Sequence, residues 1–477
     1  MNLTDKRSKL VVTIGPSSDN YNTLRALVEG GATCVRANFS HGSHEEHLNK
    51  FLLAKKVSED MHLPVSLMLD TKGPEIRLGA MKDGAQVIPA NHEIKIYTTE
   101  KEYKEFEGTA DEVTVSYDMS KDLKEGNVIL FDDGKLTSIV TKVGKGFVVA
   151  KTLNAHKLKT NKRINLPGVD FSLPFLSQKD IDDVKFGIKV GVHYIAASFV
   201  NSAQNVNDLR QLLDENGGKN IKIISKIESH LGIKNIDEII QASDGIMVAR
   251  GDLGLEIPYY DVPYFEKVMI RKCREAGKPI IVATQMLDSM ENNPHPTRAE
   301  VTDVYYATEL GADATMLSGE SASGSYPVES VLTMTNINKR AEMEFYDKTY
   351  YDIQLEEIRR KSNPAQNKRA RIAYEVANRT RFGDYKFAVV LSRTGKLLEE
   401  VAKFRPNTII VGIVNDESLI GEFGVTSSVW VSLDSKKYFD LIKQDKKVAL
   451  ETLAPYGIKE GDRILVVENE SMTEMKF

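Results

Sequence analysis

Residues 205–252, "NVNDLRQLLDENGGKNIKIISKIESHLGIKNIDEIIQASDGIMVARGD", carry the unit from which the fold is read. "NVNDLRQLLDENGG" places apolar residues at helical spacing and stops at a glycine pair. "IKIISKIE" (221–228) and "GIMVARGD" (245–252) are short branched apolar runs of strand length. A buried strand following a helix, repeated, is the rhythm of a parallel sheet with helices over its faces.

Outward from this unit the rhythm recurs. Strands are expected at "LVVTIG" (10–15), "TCVRANFS" (33–40), "PVSLMLD" (64–70), "HYIAASF" (193–199), "PIIVATQ" (279–285) and "ATMLSGE" (314–320), which makes eight. Eight βα units over about 250 residues predict a TIM (β/α)8 barrel; an open doubly wound sheet is the alternative. Between the third and fourth strands the rhythm stops. "HEIKIYTT", "EVTVSY", "VILFDDGKLTSIV" and "GKGFVVAKTL" alternate at period two, with Asp-Gly at a hairpin position. The expected organisation is a discontinuous barrel domain (1–71 and 166–345), an inserted small β-barrel lid (72–165) and a C-terminal α/β domain (346–477). The last has strands at 386–392, 408–414 and 462–468, reached through the polar stretch "LEEIRRKSNPAQNKRAR". An insertion after the third strand emerges at the C-terminal face, where barrels place their sites and a lid can act.

The chain of 477 residues carries a formal charge of -5 and a pI near 6.1, giving no electrostatic reason to expect nucleic acid or an anionic membrane as partner. Two cysteines, Cys34 and Cys273, lack metal-ligand spacing. With no signal-peptide pattern and no apolar run of bilayer length, this points to a reduced, cytoplasmic setting.

Polar groups are expected at the last positions of five barrel strands: Ser40, Asp70, Glu228, Asp252 and Glu320. Singly, each reads as a helix cap; together they read as a site. Residues two apart share a strand face, which groups Arg36 with Asn38 and Ser40, Lys226 with Glu228, and Arg250 with Asp252. Glu228 and Asp252, from adjacent strands, can meet on one magnesium ion, whose remaining positions go to water and phosphate oxygens. Lys226 supplies a mobile charge for a phosphoryl group in transit, Arg36 and Arg77 bind anions, and the glycines of "ARGDLG" expose backbone N–H groups. Asn38, Ser40, Asp70 and Thr71 form an oxygen-rich corner for a second hard cation. The set points to a phosphorylated anionic substrate and metal-assisted phosphoryl transfer. No P-loop or protein-kinase glycine loop occurs, and "HEEH" (44–47) does not keep the H-E-x-x-H zinc spacing.

"TIGPSS", "VRANFSHG", "LDTKGPEIR", "IISKIE", "DGIMVARGDLG", "VATQML", "PTRAEVTDV" and "MLSGES" resemble pyruvate kinases, in order and across essentially the whole chain. The resemblance implies phosphoryl transfer from phosphoenolpyruvate to ADP, with Mg2+ (or Mn2+) and K+, in a homotetramer. It implies Lys226 as the lysine that stabilises the transferring group, and Glu228 and Asp252 as divalent-ion ligands. Asn38, Ser40, Asp70 and Thr71 (through its carbonyl) are implied as K+ ligands, and Arg36, with Arg77 alongside, as the phosphate binder. Gly251, Asp252 and Thr284 would cradle the substrate carboxylate, with Thr284 a candidate proton donor. Pro16, Asn38, His41, Arg77 and Lys179 would contact the nucleotide, and Ser318 and Glu320 a water-linked proton path. Glu75, where some members carry lysine, implies dependence on K+.

At the C-terminal end "LSRTGKLLEE" keeps Ser392, Thr394, Gly395 and Lys396 of an effector-phosphate loop, but Leu397 stands where a small hydroxyl residue is usual. The closing "VVENESMTEMKF" lacks the usual glycine-rich loop, so activation by fructose 1,6-bisphosphate of the usual kind is not expected; Ser392–Lys396 reads either as a simpler phosphate site or as a helix N-cap. Two rival readings are a barrel lyase or aldolase using Lys226 as a Schiff base, which calls for a lowered lysine pKa, and a silent metabolite-binding homologue.

Overall fold

The structure, a computed structural model, describes residues 6–170, 172–347 and 349–477. Eight parallel strands close in chain order: β1 Lys9–Thr13, β2 Cys34–Asn38, β3 Ser66–Asp70, β4 Tyr194–Ala197, β5 Lys222–Ile227, β6 Gly245–Ala249, β7 Ile280–Ala283 and β8 Ala314–Leu317. Pairing of β1 with β8 from Lys9–Ala314 onward closes the cylinder and excludes the open sheet.

Alternation along these strands builds two cores. Val11, Cys34, Met68, Ile224, Met247 and Ile281 fill the lumen. Their neighbours Val12, Val35, Leu67, Ile223, Ile246 and Val282 pack under the surrounding helices. Burial of such a side chain contributes about 1.5–3 kcal/mol, so register is strongly held; a one-residue slip would exchange both sets. Two residues beyond the lumen layer, the same parity delivers Thr13, Arg36, Asp70 and Lys226 to the C-terminal mouth. The charged layer of the site therefore sits directly on the apolar filling of the barrel.

The expected strand ends need correction. Only Asp70 is the last residue of its strand; Ser40, Glu228, Asp252 and Glu320 lie one to three residues beyond theirs. β6 stops at Ala249, and Arg250–Glu256 is a helix, so Arg250 and Asp252 do not share a face. The chain turns into that helix directly after Ala249, a choice that an apolar run cannot announce.

The inserted domain forms a seven-stranded sheet with the order 76–77, 163–165, 128–131, 136–144, 147–152, 93–97, 112–114. A bridge between Leu78 and Val115 joins its two edges and rolls it toward a barrel around Ile94, Ile96, Ile129, Phe131 and Val148. At the hinge, Gly73 adopts φ +71 and its N–H donates to Asp180 Oδ1 at 3.1 Å. Asp180 also completes the capping box with Ser177 that starts the helix Gln178–Val190, so one carboxylate ties the hinge to the barrel.

The C-terminal sheet has five strands: β9 Phe387–Ser392, β10 Ile409–Val414, β11 Val429–Val431, β12 Arg463–Glu468 and an antiparallel β13 Ser471–Lys476, in the order β11-β10-β9-β12-β13. β11 is short and β13 is an exposed edge, so neither shows a periodic signal. The polar stretch before the sheet holds two helices, Thr349–Ser362 and Lys368–Arg379. Tyr351, Leu355 and Ile358 form the first one's buried stripe at helical spacing. The domain docks on the N-terminal ends of the barrel strands. Ser66 Oγ donates to the Gly421 carbonyl at 2.8 Å, Tyr194 Oη to that of Glu422 at 2.6 Å, and Val425 joins the lumen cluster. Among the described residues no helix is long and apolar enough to cross a membrane.

Candidate active site

Lys226 is the centre of the mouth. Its Nζ donates to Asp70 Oδ1 at 2.9 Å and to Ser198 Oγ at 2.7 Å, and stands 3.1 Å from Glu228 Oε1. Arg36 reaches the other Asp70 oxygen from Nε at 2.6 Å and donates from Nη1 to Thr13 Oγ1 at 2.7 Å. Ser198 closes the ring by donating to the Thr71 carbonyl at 2.7 Å, and Glu228 Oε2 accepts the Phe199 N–H at 2.6 Å. All the charged members are nearly fully buried.

The electrostatics sort these groups. Burial opposes the Lys226 charge, yet Asp70 and Glu228 hold its pKa above the ordinary lysine value. Burial also opposes ionisation of Asp70, and Arg36 and Lys226 outweigh it, keeping that carboxyl below the usual range. Glu228 moves the other way: burial raises it, Lys226 opposes, and Asp252 adds to the rise. Two carboxylates share one ammonium, and Asp70, with Arg36 as a second cation, takes the larger share. Glu228 is therefore the least compensated carboxylate of the cluster. A lysine held protonated in this way does not suit the Schiff-base role.

Asn38 and Asp70 are register partners on β2 and β3, with Thr71 next along the chain. Asn38 Oδ1 there accepts the Ser40 N–H at 3.1 Å. Across the mouth, the Gly251 N–H donates to Thr284 Oγ1 at 2.7 Å. Thr284 sits at φ +67 and Phe199 at φ +56, in the left-handed region that costs a side-chain-bearing residue on the order of 1 kcal/mol. Such strained residues, within two positions of the ends of β4 and β7, mark a mouth shaped for a purpose other than stability.

Lys179 Nζ donates to the Phe39 carbonyl at 2.9 Å and pairs with Asp183 at 2.6 Å, placing it beside the loop of His41. The His41 carbonyl contacts His47 Nε2 at 2.8 Å, and Pro16 is exposed after β1. His44 contacts Asp183, and Ser43 caps the next helix with Glu46, in keeping with the absence of zinc spacing. Glu320 accepts N–H groups of Ser318 at 2.7 Å and Leu287 at 3.1 Å; burial raises its pKa. It braces the loops after β7 and β8.

Arg77 is not brought to Arg36. Its guanidinium turns within the insert, to Glu75 Oε2 at 2.5 Å and the Asn161 carbonyl at 3.3 Å, because a neighbouring carboxylate two residues away satisfies it first. The insert contributes Arg163 instead, whose Nη1 pairs with Asp252 Oδ1. Arg163 and Ser198 carried no expectation. Ser198 lies two residues past lumen-facing Ala196, so parity could have found it; Arg163 depends on where the lid rests, which has no local signal. At the other end of the molecule, Gly395 (φ +75) precedes the helix Lys396–Lys403 without a side-chain cap. Ser392 ends β9 buried, Thr394 is exposed, and Lys396 lines a 480 Å³ cavity between the domains.

Fold and site together define a (β/α)8-barrel enzyme with a buried lysine–carboxylate cluster at its C-terminal mouth, overhung by an inserted β lid. Residues 5–331 match the family model for the pyruvate kinase barrel domain. The pyruvate kinase of Mycoplasma pneumoniae is 39% identical over 95% of this chain and 94% of its own, and that of Clostridium acetobutylicum 39% over 97% and 95%. A crystal structure of a pyruvate kinase from Cryptosporidium parvum superposes with a TM-score of 0.90 at 32% identity, covering 100% of this chain and 97% of that one. The chain belongs to the pyruvate kinase family.

Proposed function

We propose that this enzyme transfers the phosphoryl group of phosphoenolpyruvate to ADP, giving pyruvate and ATP, with divalent and monovalent cations. The observation that carries the reading is the buried Lys226 ammonium, held charged between Asp70 and Glu228 with Arg36 on the far side of Asp70. Phosphoryl transfer needs charge balance and alignment rather than covalent participation, and two fixed cations at one mouth supply both.

Glu228 and Asp252 would hold Mg2+ or Mn2+. They suit it, because they follow two adjacent barrel strands and magnesium takes one or two carboxylates beside substrate oxygens. When bound, the divalent ion neutralises the transferring group and orients its oxygens. Asn38, Ser40, Asp70 and the Thr71 carbonyl would hold K+. Lys226 and Arg36 bind the phosphoryl oxygens, while the Gly251 and Asp252 N–H groups and the Thr284 hydroxyl bind the substrate carboxylate. Pro16, Asn38, His41 and Lys179 would face ADP. Thr284 is the candidate donor of a proton to the enolate, with Ser318 and Glu320 behind it. The lid excludes water and so suppresses hydrolysis. A homotetramer completes the reading; sedimentation of the full chain tests it.

Pyruvate formation from phosphoenolpyruvate and ADP, assayed with Mg2+ and with or without K+, tests the function. Lys226→Met is expected to lower kcat by about 10³-fold or more with an unchanged circular-dichroism spectrum. A wild type inactive with both ions present would end the proposal. Glu75→Lys is expected to weaken the dependence on K+, since a fixed ammonium replaces the ion's charge; equal dependence in both proteins would remove Glu75 as the residue that sets that requirement.

A further inference from the structure

Asp252 is contacted from above as well as from the barrel. Arg163, on the last lid strand, crosses the gap and pairs its Nη1 with Asp252 Oδ1. Its guanidinium lies 4.8 Å above the Phe199 ring centroid, and its side chain is only 14% exposed. One residue pair further along, Asn165 Nδ2 reaches Glu256 Oε1 at 3.5 Å at the end of the same short helix. The lid is therefore seated on the segment 250–256 through Asp252 and Glu256.

Three features make the Arg163 contact a held position rather than a general surface pairing. First, the alternative partner is taken. Arg163 faces Arg77 in the strand register, and Arg77 already occupies Glu75. Second, Arg163 Nη2 is buried and has no hydrogen-bond partner, so half the fork is desolvated without compensation. A guanidinium satisfied at one nitrogen and stranded at the other is poised to move when a better arrangement appears. Third, its one carboxylate is Asp252, which the proposed function gives to the divalent cation. Guanidinium and metal ion would share one carboxylate and repel each other across it.

We propose that Arg163 competes with the divalent cation for Asp252, so that seating of the lid on the segment 250–256 through this residue and loading of the cation exclude each other. Arg163 is a positioning residue in this scheme. It acts through Asp252, and its displacement by the cation frees its fork, stranded Nη2 included, to face the anionic substrate in the mouth. The inference rests on the reading of Glu228 and Asp252 as the cation pair.

The test is Mn2+ binding to the full chain without substrate, followed by the electron paramagnetic resonance signal of the free ion. Arg163→Gln keeps the stem over Phe199 and removes the charge; Arg163→Ala removes both. Both are expected to bind Mn2+ about 3- to 10-fold more tightly than wild type, as loss of one competing, partly buried cation implies. Damage to the lid or the site would weaken binding, so a structural role cannot mimic this result. Unchanged or weaker binding in Arg163→Gln overturns the competition. Glu228→Gln separates the two levels. If the wild type binds no Mn2+ that Glu228→Gln removes, the cation-site reading fails; if Glu228→Gln removes it and Arg163→Gln changes nothing, only the competition fails.

Discussion

Glu266 sits 2% exposed on the helix Val262–Ala276, 3.3 Å from Arg250, which Asp303 also engages. Burial lifts its carboxyl from the ordinary 4.5 to about 7, with Arg250 opposing and Asp303 adding to the rise. As pH climbs from about 4.5, the unfolded chain ionises first and is favoured, so this residue costs stability increasingly up to pH 7 and constantly above it. Glu266→Gln is therefore expected to leave acid stability unchanged and to stabilise the barrel at pH 8 by at most roughly 3 kcal/mol. Urea unfolding at pH 4 and pH 8 measures it; an equal effect at both pH values would refute the assignment. The residues of the mouth had been more accessible to reading. Arg36, Asp70 and Lys226 follow from parity alone, since each lies two positions beyond a lumen residue of its strand. Arg77 did not follow, because parity cannot tell which of two neighbouring groups a long side chain will choose.

The hinge is where an element's geometry controls chemistry. A Cβ on Gly73 would meet Ser198 Cβ at 2.7 Å, and its φ of +71 suits glycine. Ser198 in turn holds the Lys226 ammonium. Gly73→Ala should cost about 1–3 kcal/mol in strain and push Ser198 off Lys226, lowering kcat by about 10-fold or more. Steady-state kinetics beside a thermal melt checks this, and full activity would show that the hinge does not position the lysine. Elements were legible where period was unbroken, as in the eight barrel strands and the hairpin around Asp-Gly. They were misjudged where period ran on past a turn. "GIMVARGD" has strand composition throughout, yet its last three residues begin a helix because the barrel ends there.

At the scale of the molecule, the C-terminal domain is fastened to the barrel floor by Arg405 and Asp313, 2.7 Å apart and both buried. Asp313 also accepts the Ile280 and Ser427 N–H groups at 3.1 and 3.0 Å, joining β7 to the loop that carries Val425. Arg405→Met would leave that carboxylate uncompensated, at about 3–5 kcal/mol. The expected result is two calorimetric transitions in place of one. The emission of Trp430, the sole tryptophan, against which Lys9 Nζ rests 3.7 Å from the ring centroid, should change in the first of them. A single transition with unaltered emission would mean that docking does not depend on this pair.

By itself the sequence determined the barrel, the insertion and the identity of the charged layer. These depend on periodicity and on which residue follows which along a strand, both local quantities. Tertiary structure alone decided who shares charge with whom: Lys226 with two carboxylates, Arg77 with Glu75, Arg163 with Asp252, and Arg405 with Asp313. Those partners are 2 to 156 residues apart, and burial strengthens whichever pairing the folded backbone brings within reach.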